Sequence, residues 1–190
     1  MTALDFFARW RVRFGYVLAV VVLCLAHPTQ LSLMLGAAVG TVGIGIRAYA
    51  AGYLHKQEIL TTTGPYARTR NPLYFGSSIL AAGAALATHS WWAGALLLFY
   101  FALVYRLVMR REEMEMRAKH GAVFDDYAAR VPLFFPRLTV AKKPQTGAAA
   151  FSWAQYKKNH EYEAALGFLL TLIALAVISW LRACDITGKP

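Results

Sequence analysis

The chain has 190 residues, 58% of them hydrophobic, and carries 20 Lys and Arg against 10 Asp and Glu, a net charge of +10. That length supports one domain or little more, and a mean hydropathy of +0.41 exceeds what a soluble core of this size uses, whereas a bilayer accepts apolar side chains on the outside as well. The basic balance does not read as nucleic-acid binding, because Lys and Arg cluster between the apolar segments, where they meet anionic membrane lipids.

Five apolar segments succeed one another along the chain, which reads as an all-α polytopic membrane bundle of about five spanning helices. The first, Phe14–Ala26, is short for the roughly 20 residues a bilayer needs. Extension back through Leu4–Trp10 supplies the length, with Arg9, Arg11 and Arg13 snorkelling to the headgroups. A signal peptide is the rival for this segment, given its basic start and the small residues Cys24 and Ala26; a retained helix is preferred. The second segment runs from Leu31 to Ala51. Within it Gly43-Ile-Gly45 permits close helix packing, and Arg47 near its end is expected to snorkel. Pro65 and Pro72 push the residues before them out of helix, so Thr61–Asn71 reads as an irregular loop that Pro72 ends by starting the third segment, Leu73–Thr88. The fourth, Trp91–Met109, continues as helix through Arg110–Ala118, with no breaker before Gly121.

Val131-Pro132 and Phe135-Pro136 break the stretch after Gly121. Lys142–Ala150 reads as a flexible link, and Phe151–Tyr162 as a segment suited to the membrane interface. The fifth apolar segment is Ala164–Leu181. The chain thus divides into an N-terminal pair of spans over 1–54, a core over 55–140, and a linker, interfacial segment and last span over 141–190.

Charge sets the expected orientation. The turns at His27–Gln30 and His89–Ser90 lack Lys and Arg, whereas the opposite ends carry Arg9, Arg11, Arg13, Arg47, Lys56, Arg68, Arg70, Arg106, Arg110 and Arg111. The N-terminus is therefore expected in the cytoplasm. Both long polar connections, about 52–71 and 110–163, then face that side of an inner membrane if the source is bacterial.

The densest chemistry lies between Thr61 and Gly76, where hydroxyls, Arg68, Arg70, Asn71, Tyr66 and Tyr74 precede a helix. Free N–H groups at such a start favour an anion, and Arg70 can add a bidentate partner. The alternative is a basic surface loop with an Asn cap. The second feature is Arg110-Arg111-Glu112-Glu113-Met114-Glu115. Adjacent helical residues point about 100° apart, so Glu112 and Glu113 cannot share a direction. One can face the bundle and bind an ammonium or ribose hydroxyls while the other meets solvent or arginine; a solvated end with Glu113–Arg117 pairing is the alternative. Cys24 and Cys184 fall in no CxxC or CxxH pattern, so no metal site is expected.

Together these segments resemble a known family. Gly64-Pro-Tyr66, Arg70-Asn-Pro-Leu-Tyr74 and Gly76 are similar to the G-x-Y-x-x-x-R-H/N-P-x-Y-x-G motif of membrane methyltransferases, a group that includes isoprenylcysteine carboxyl methyltransferases and phospholipid N-methyltransferases. Glu112-Glu113, followed by Gly121, Tyr127, Val131-Pro132 and Pro136, resembles the second signature of that group. The likeness covers roughly Arg47–Arg137. It implies S-adenosyl-L-methionine as methyl donor, and a lipophilic acceptor that partitions into the membrane. Carried over by position, it implies cofactor contacts at Glu58, Ile59, Leu60, Thr61, Tyr66, Asn71, Pro72, Leu73, Tyr74, Glu112 and Glu113, with Arg70, Asn71 and Glu112 nearest the chemistry. Asn71 stands for the commoner histidine of the motif, and His120 and Phe124 for its usual Phe and Tyr. Val108 stands where prenylcysteine enzymes place a substrate-binding arginine.

Overall fold

A computed structural model of the chain describes residues 3–55, 59–139 and 150–187. The described residues form seven α-helices and no strand: α1 Ala3–Leu25, α2 Gln30–Tyr53, α3 Pro72–Thr88, α4 Trp91–His120, α5 Ala122–Arg130, α6 Trp153–Lys158 and α7 Tyr162–Thr187. A 3-10 turn over Gly64–Ala67 interrupts the loop before α3.

The protein is an integral membrane protein. Gln30–Tyr53, Trp91–His120 and Tyr162–Cys184 are long and apolar enough to cross a bilayer, and Phe14–Leu25 and Pro72–Thr88 are shorter apolar helices. Only 11–22% of the apolar window in each long helix is buried within the chain, so the remaining surface needs lipid to cover it. The first apolar stretch gains its length by starting at Ala3, and α4 runs on to His120. Gly121, at φ 52°, ends it, in the left-handed region that glycine adopts without cost.

Two compact units divide the chain. The first comprises Met1–Val42, Ser78–Leu107 and Ala165–Pro190, and the second Gly43–Ser77 and Val108–Ala164. In the first unit, Thr29 caps α2 reciprocally with Ser32. Ser32 N–H donates to Thr29 Oγ1 at 3.1 Å, and Thr29 N–H donates to Ser32 Oγ at 2.9 Å. This arrangement satisfies N–H groups that the first turn of a helix leaves open. His27 N–H donates to the Thr88 carbonyl at 2.8 Å, and Ala26, Ala87 and Leu175 form a fully buried cluster lined by Leu23, Leu33 and Leu172. Small residues bring the backbones together here: a Cβ on Gly83 would lie 2.6 Å from Gly40 N and 2.7 Å from Gly36 O.

In the second unit, the Gly43 carbonyl would stand 2.9 Å from a Cβ on Gly76, which supports the packing role expected for Gly43. No neighbour lies within 4 Å of a Cβ on Gly45, so that role does not extend to it. The C-terminal end of α2 leaves carbonyls open, and residues 151–159 fill them. Ser152 N–H donates to the Gly52 carbonyl at 3.0 Å. Gln155 Nε2 donates to Leu54 O at 2.6 Å, and Asn159 Nδ2 to Ala51 O at 2.8 Å and Leu54 O at 2.9 Å. The Phe151 ring lies where a Gly52 side chain would be. His160, at φ 55°, then turns the chain into α7.

Candidate functional site

The second unit holds the candidate site. Its motif loop is fastened to residues 132–137 by main-chain and side-chain bonds. Arg70 N–H donates to Pro132 O and Arg137 N–H to Arg68 O, both at 2.9 Å. Thr69 Oγ1 donates to Phe134 O at 2.9 Å, and Asn71 Nδ2 to Leu133 O at 2.9 Å. Beneath the loop, Phe124, Tyr127 and Val131 form a buried cluster lined by Leu60, Met116 and Ala128. The Tyr127 hydroxyl donates to the Tyr66 carbonyl at 2.7 Å.

Removal of that donor leaves a buried carbonyl open, which costs about 1–3 kcal/mol. Tyr127→Phe is therefore expected to be less stable by that margin and to unfold at a lower temperature in detergent. Burial also raises the Tyr127 phenol above its ordinary value and pushes the Tyr66 phenol well up. A raised value in the fold means stability that is full below about pH 10 and is lost as pH climbs beyond it. An alkaline unfolding titration should be shallower in Tyr127→Phe than in the wild type.

Several residues expected at the site converge here. The Tyr74 hydroxyl donates to Glu112 Oε1 at 2.5 Å, joining the start of α3 to α4. Arg70 pairs with Glu113, and its guanidinium carbon lies 6.0 Å from the centre of the Phe124 ring. Glu112 is exposed and Glu113 half-buried, so the two carboxylates do take different directions, one on a phenol and one on arginine. The expected alternative of Glu113–Arg117 pairing gives way to these contacts, because Arg117 Nε bonds Asp125 Oδ1 at 2.7 Å.

Other expected residues play quieter parts. Pro72 is fully buried and Thr61 buried, whereas Ile59 is exposed. The Thr61 hydroxyl lies 3.5 Å from Tyr53 O. Leu60 packs on Phe124 and Tyr127, and the Leu73 carbonyl accepts from the Ser77 hydroxyl at 2.9 Å. The Asn71 side chain does not cap α3; it reaches across to Leu133, and Phe75 N–H finds the Asn71 main-chain carbonyl instead. Glu58 lies outside the described residues.

Arg47 corrects an expectation. It does not snorkel; it pairs with Glu161 at 2.6 Å and bonds the Ser77 hydroxyl. Its side chain is 18% exposed and that of Glu161 7%. A cation beside apolar helices is stabilised by a nearby carboxylate. Glu161 belongs to no motif that the sequence brings forward. Its one usable signal is a carboxylate directly ahead of an apolar span, in a chain with only 10 acidic residues.

Among the described residues of this unit, three buried polar atoms are unpartnered: Arg47 Nε, Tyr66 Oη and Arg70 Nε. Buried polar groups are nearly always bonded, so these three atoms have hydrogen-bonding capacity left unused within the described residues. Tyr66 is 7% exposed, and Tyr127, Glu161, Glu112 and Tyr74 all lie close enough to disfavour its ionised form.

Comparison with known proteins sets this cluster in a family. Residues 14–122 match the family described as phospholipid methyltransferase. The chain belongs to that family. Among its relatives, the nickel-cobalt-cadmium resistance protein NccN of Alcaligenes xylosoxydans xylosoxydans is 39% identical over 115 residues, covering 60% of this chain and 52% of that protein. The cobalt-zinc-cadmium resistance protein CzcN of Cupriavidus metallidurans is 36% identical over 149 residues, 72% of this chain and 66% of that one. The chain thus spans about half to two thirds of the length of these relatives. No solved structure matches it.

Proposed function

We propose that the protein is an S-adenosyl-L-methionine-dependent methyltransferase of the membrane, acting on a small lipophilic acceptor at the cytoplasmic face. The observation that carries this reading is the family match, whose segment holds the Tyr74–Glu112 contact and, in the same unit, the unpartnered Tyr66 Oη and Arg70 Nε. The donor set suits the cofactor. Glu112 offers a carboxylate to an ammonium or to ribose hydroxyls, and the Arg70 Nε–H offers a bond to a carboxylate. When bound, the cofactor supplies an electrophilic methyl carbon on a sulfonium. The chain's contribution is then alignment of the acceptor with that carbon. Tyr74 fixes the Glu112 rotamer, Glu113 fixes Arg70, and the stapled loop holds Tyr66. The excess of Lys and Arg on one set of connections supports the cytoplasmic placement.

Calorimetry with S-adenosylhomocysteine tests the reading. A charge-assisted hydrogen bond contributes about 1.5–3 kcal/mol, so Glu112→Ala should bind about ten- to a hundredfold more weakly than the wild type. No binding by folded wild-type protein, or equal binding by the variant, would overturn the proposal and favour a non-catalytic scaffold that keeps the fold.

A carboxylate of the isoprenylcysteine kind and a phospholipid amine are the two acceptor classes that the family likeness brings forward. Val108, in place of an arginine, weighs against the first. The names of the relatives connect those proteins with resistance to nickel, cobalt, zinc and cadmium. In this chain we read such a role as a consequence of modifying a membrane-partitioned acceptor.

A further inference from the structure

The loop over residues 131–139 lies beyond the family match, which ends at residue 122, yet it is fastened to the motif loop. Arg70 N–H reaches Pro132 O, Asn71 Nδ2 reaches Leu133 O and Thr69 Oγ1 reaches Phe134 O, each at 2.9 Å. The loop also lies at the level where α3 begins. The Phe134 ring centre is 5.8 Å from that of Phe75, in the first turn of this apolar helix, and 5.2 Å from that of Phe135.

Two features of the loop call for a partner. The first is apolar: Phe135 is 74% exposed and Leu138 94%. The second is charge. Arg68 and Arg137 are both exposed, and their main chains are joined, Arg137 N–H donating to Arg68 O at 2.9 Å. Arg68 Nη1 donates to Leu138 O at 3.4 Å and Arg137 Nη1 to Arg130 O at 2.5 Å. A carbonyl aims a guanidinium without neutralising it, and engages one of its five N–H donors. Among the described residues of this unit, Arg47, Arg70, Arg111, Arg117 and Arg130 each hold a carboxylate, whereas Arg68 and Arg137 hold none. Two like charges on bonded neighbours repel, and an anion over both relieves the repulsion.

We propose that Arg68, Arg137, Phe135 and Leu138 form a docking surface for an anionic bilayer. The guanidiniums take lipid phosphates through their planar forks, and the two apolar side chains enter the boundary between headgroups and acyl chains. The lipid is a bound partner and not a methyl acceptor. Its phosphates steady residues 131–139 and, through the bonds to Arg70, Asn71 and Thr69, the motif loop. The proposal needs no cofactor and so stands apart from the methyltransferase reading.

The test titrates full-length protein in neutral detergent with phosphatidylglycerol and counts bound lipid by native mass spectrometry. A cation close to an anionic lipid surface contributes about fivefold in affinity. Arg68→Gln/Arg137→Gln should therefore bind phosphatidylglycerol about thirtyfold more weakly than the wild type. Arg68→Lys/Arg137→Lys, which keeps the charge without the fork, should fall between them. Lys157→Gln/Lys158→Gln removes the same charge from exposed lysines of α6 and should bind like the wild type. Phe135→Ser/Leu138→Ser changes only exposed side chains, which guards against misfolding, and should lose at least about tenfold. Inorganic phosphate should not displace the lipid. Hydrogen exchange in nanodiscs supplies the second readout. Replacing half of the phosphatidylcholine with phosphatidylglycerol should slow exchange over residues 61–76 and 131–139 in the wild type, and not in Arg68→Gln/Arg137→Gln.

Equal losses in the arginine and lysine pairs would mean diffuse attraction of a basic protein, and would overturn the proposal. Wild-type affinity in Phe135→Ser/Leu138→Ser, displacement of the lipid by inorganic phosphate, or exchange in both loops that ignores phosphatidylglycerol would overturn it as well.

Discussion

Arg47→Met is expected to destabilise the detergent-solubilised protein by about 3 kcal/mol, the low end of the cost of stranding one member of a buried ion pair. The cost comes from the carboxylate left behind. Glu161 is buried, and the bonds of residues 152–159 to α2 hold the backbone just before it in place. The Ser77 hydroxyl loses its guanidinium donor as well, although it keeps the Leu73 carbonyl. Arg47→Lys should fall between wild type and Arg47→Met, because a single ammonium keeps the charge but cannot reproduce the fork that reaches Ser77 and Glu161 together. Arg47→Met/Glu161→Met should recover most of the loss. Thermal unfolding in one detergent at one pH checks all three. If the double variant is no more stable than the single one, the cost comes from lost packing around the Arg47 stem and not from a stranded charge.

The same pair shows what the sequence could and could not reveal. The order of apolar helices was legible because hydropathy and prolines act locally: Pro72 starts α3 where expected, and Gly121 ends α4. The motif loop was legible because its residues are contiguous, and Tyr66, Arg70, Tyr74, Glu112 and Glu113 do gather in one unit. The direction of each carboxylate was only half legible. Helical spacing separates Glu112 from Glu113, but it cannot say that the first meets Tyr74 and the second Arg70.

Long-range pairs were the hidden part. Arg47 and Glu161 are 114 residues apart, and no local pattern joins them. Arg47 reads as a snorkelling cation in sequence because its partner lies beyond the whole intervening core. The anchoring of α2 by Ser152, Gln155 and Asn159 was hidden for the same reason. A run with Trp153, Tyr156 and two lysines resembles an interfacial helix, and nothing local shows that its polar side chains also complete the end of α2.

Gly83→Leu is expected to prevent recovery of folded protein, and Gly83→Ala to cost about 2–3 kcal/mol, toward the upper end of ordinary overpacking. A Cβ at Gly83 would meet three backbone atoms: Gly40 N at 2.6 Å, Gly36 O at 2.7 Å and Gly40 Cα at 2.8 Å. Backbone cannot rotate away as a side-chain tip can, so α2 and α3 would have to separate within the first unit. That separation disturbs the Ala26–Ala87–Leu175 cluster, since Gly36 packs so closely on Ala87 that a Cβ added there would lie 2.6 Å from the Ala87 Cβ. Close approach of small residues is the main attraction between apolar helices in lipid, where no hydrophobic gradient drives them together.

Gly40 presents a milder case. Its Cβ would meet the far edge of the Phe168 ring at 2.0 Å, and a ring can tilt, so Gly40→Ala should cost less than Gly83→Ala. Gly45→Ala supplies the control within the same helix α2. Nothing lies within 4 Å of its Cβ, and replacing a mid-helix glycine with alanine gains about 0.5–1 kcal/mol. The ranking by thermal unfolding should therefore run Gly45→Ala at or above wild type, then Gly40→Ala, then Gly83→Ala. Equal losses at all three would mean that glycine matters here for flexibility rather than for backbone approach.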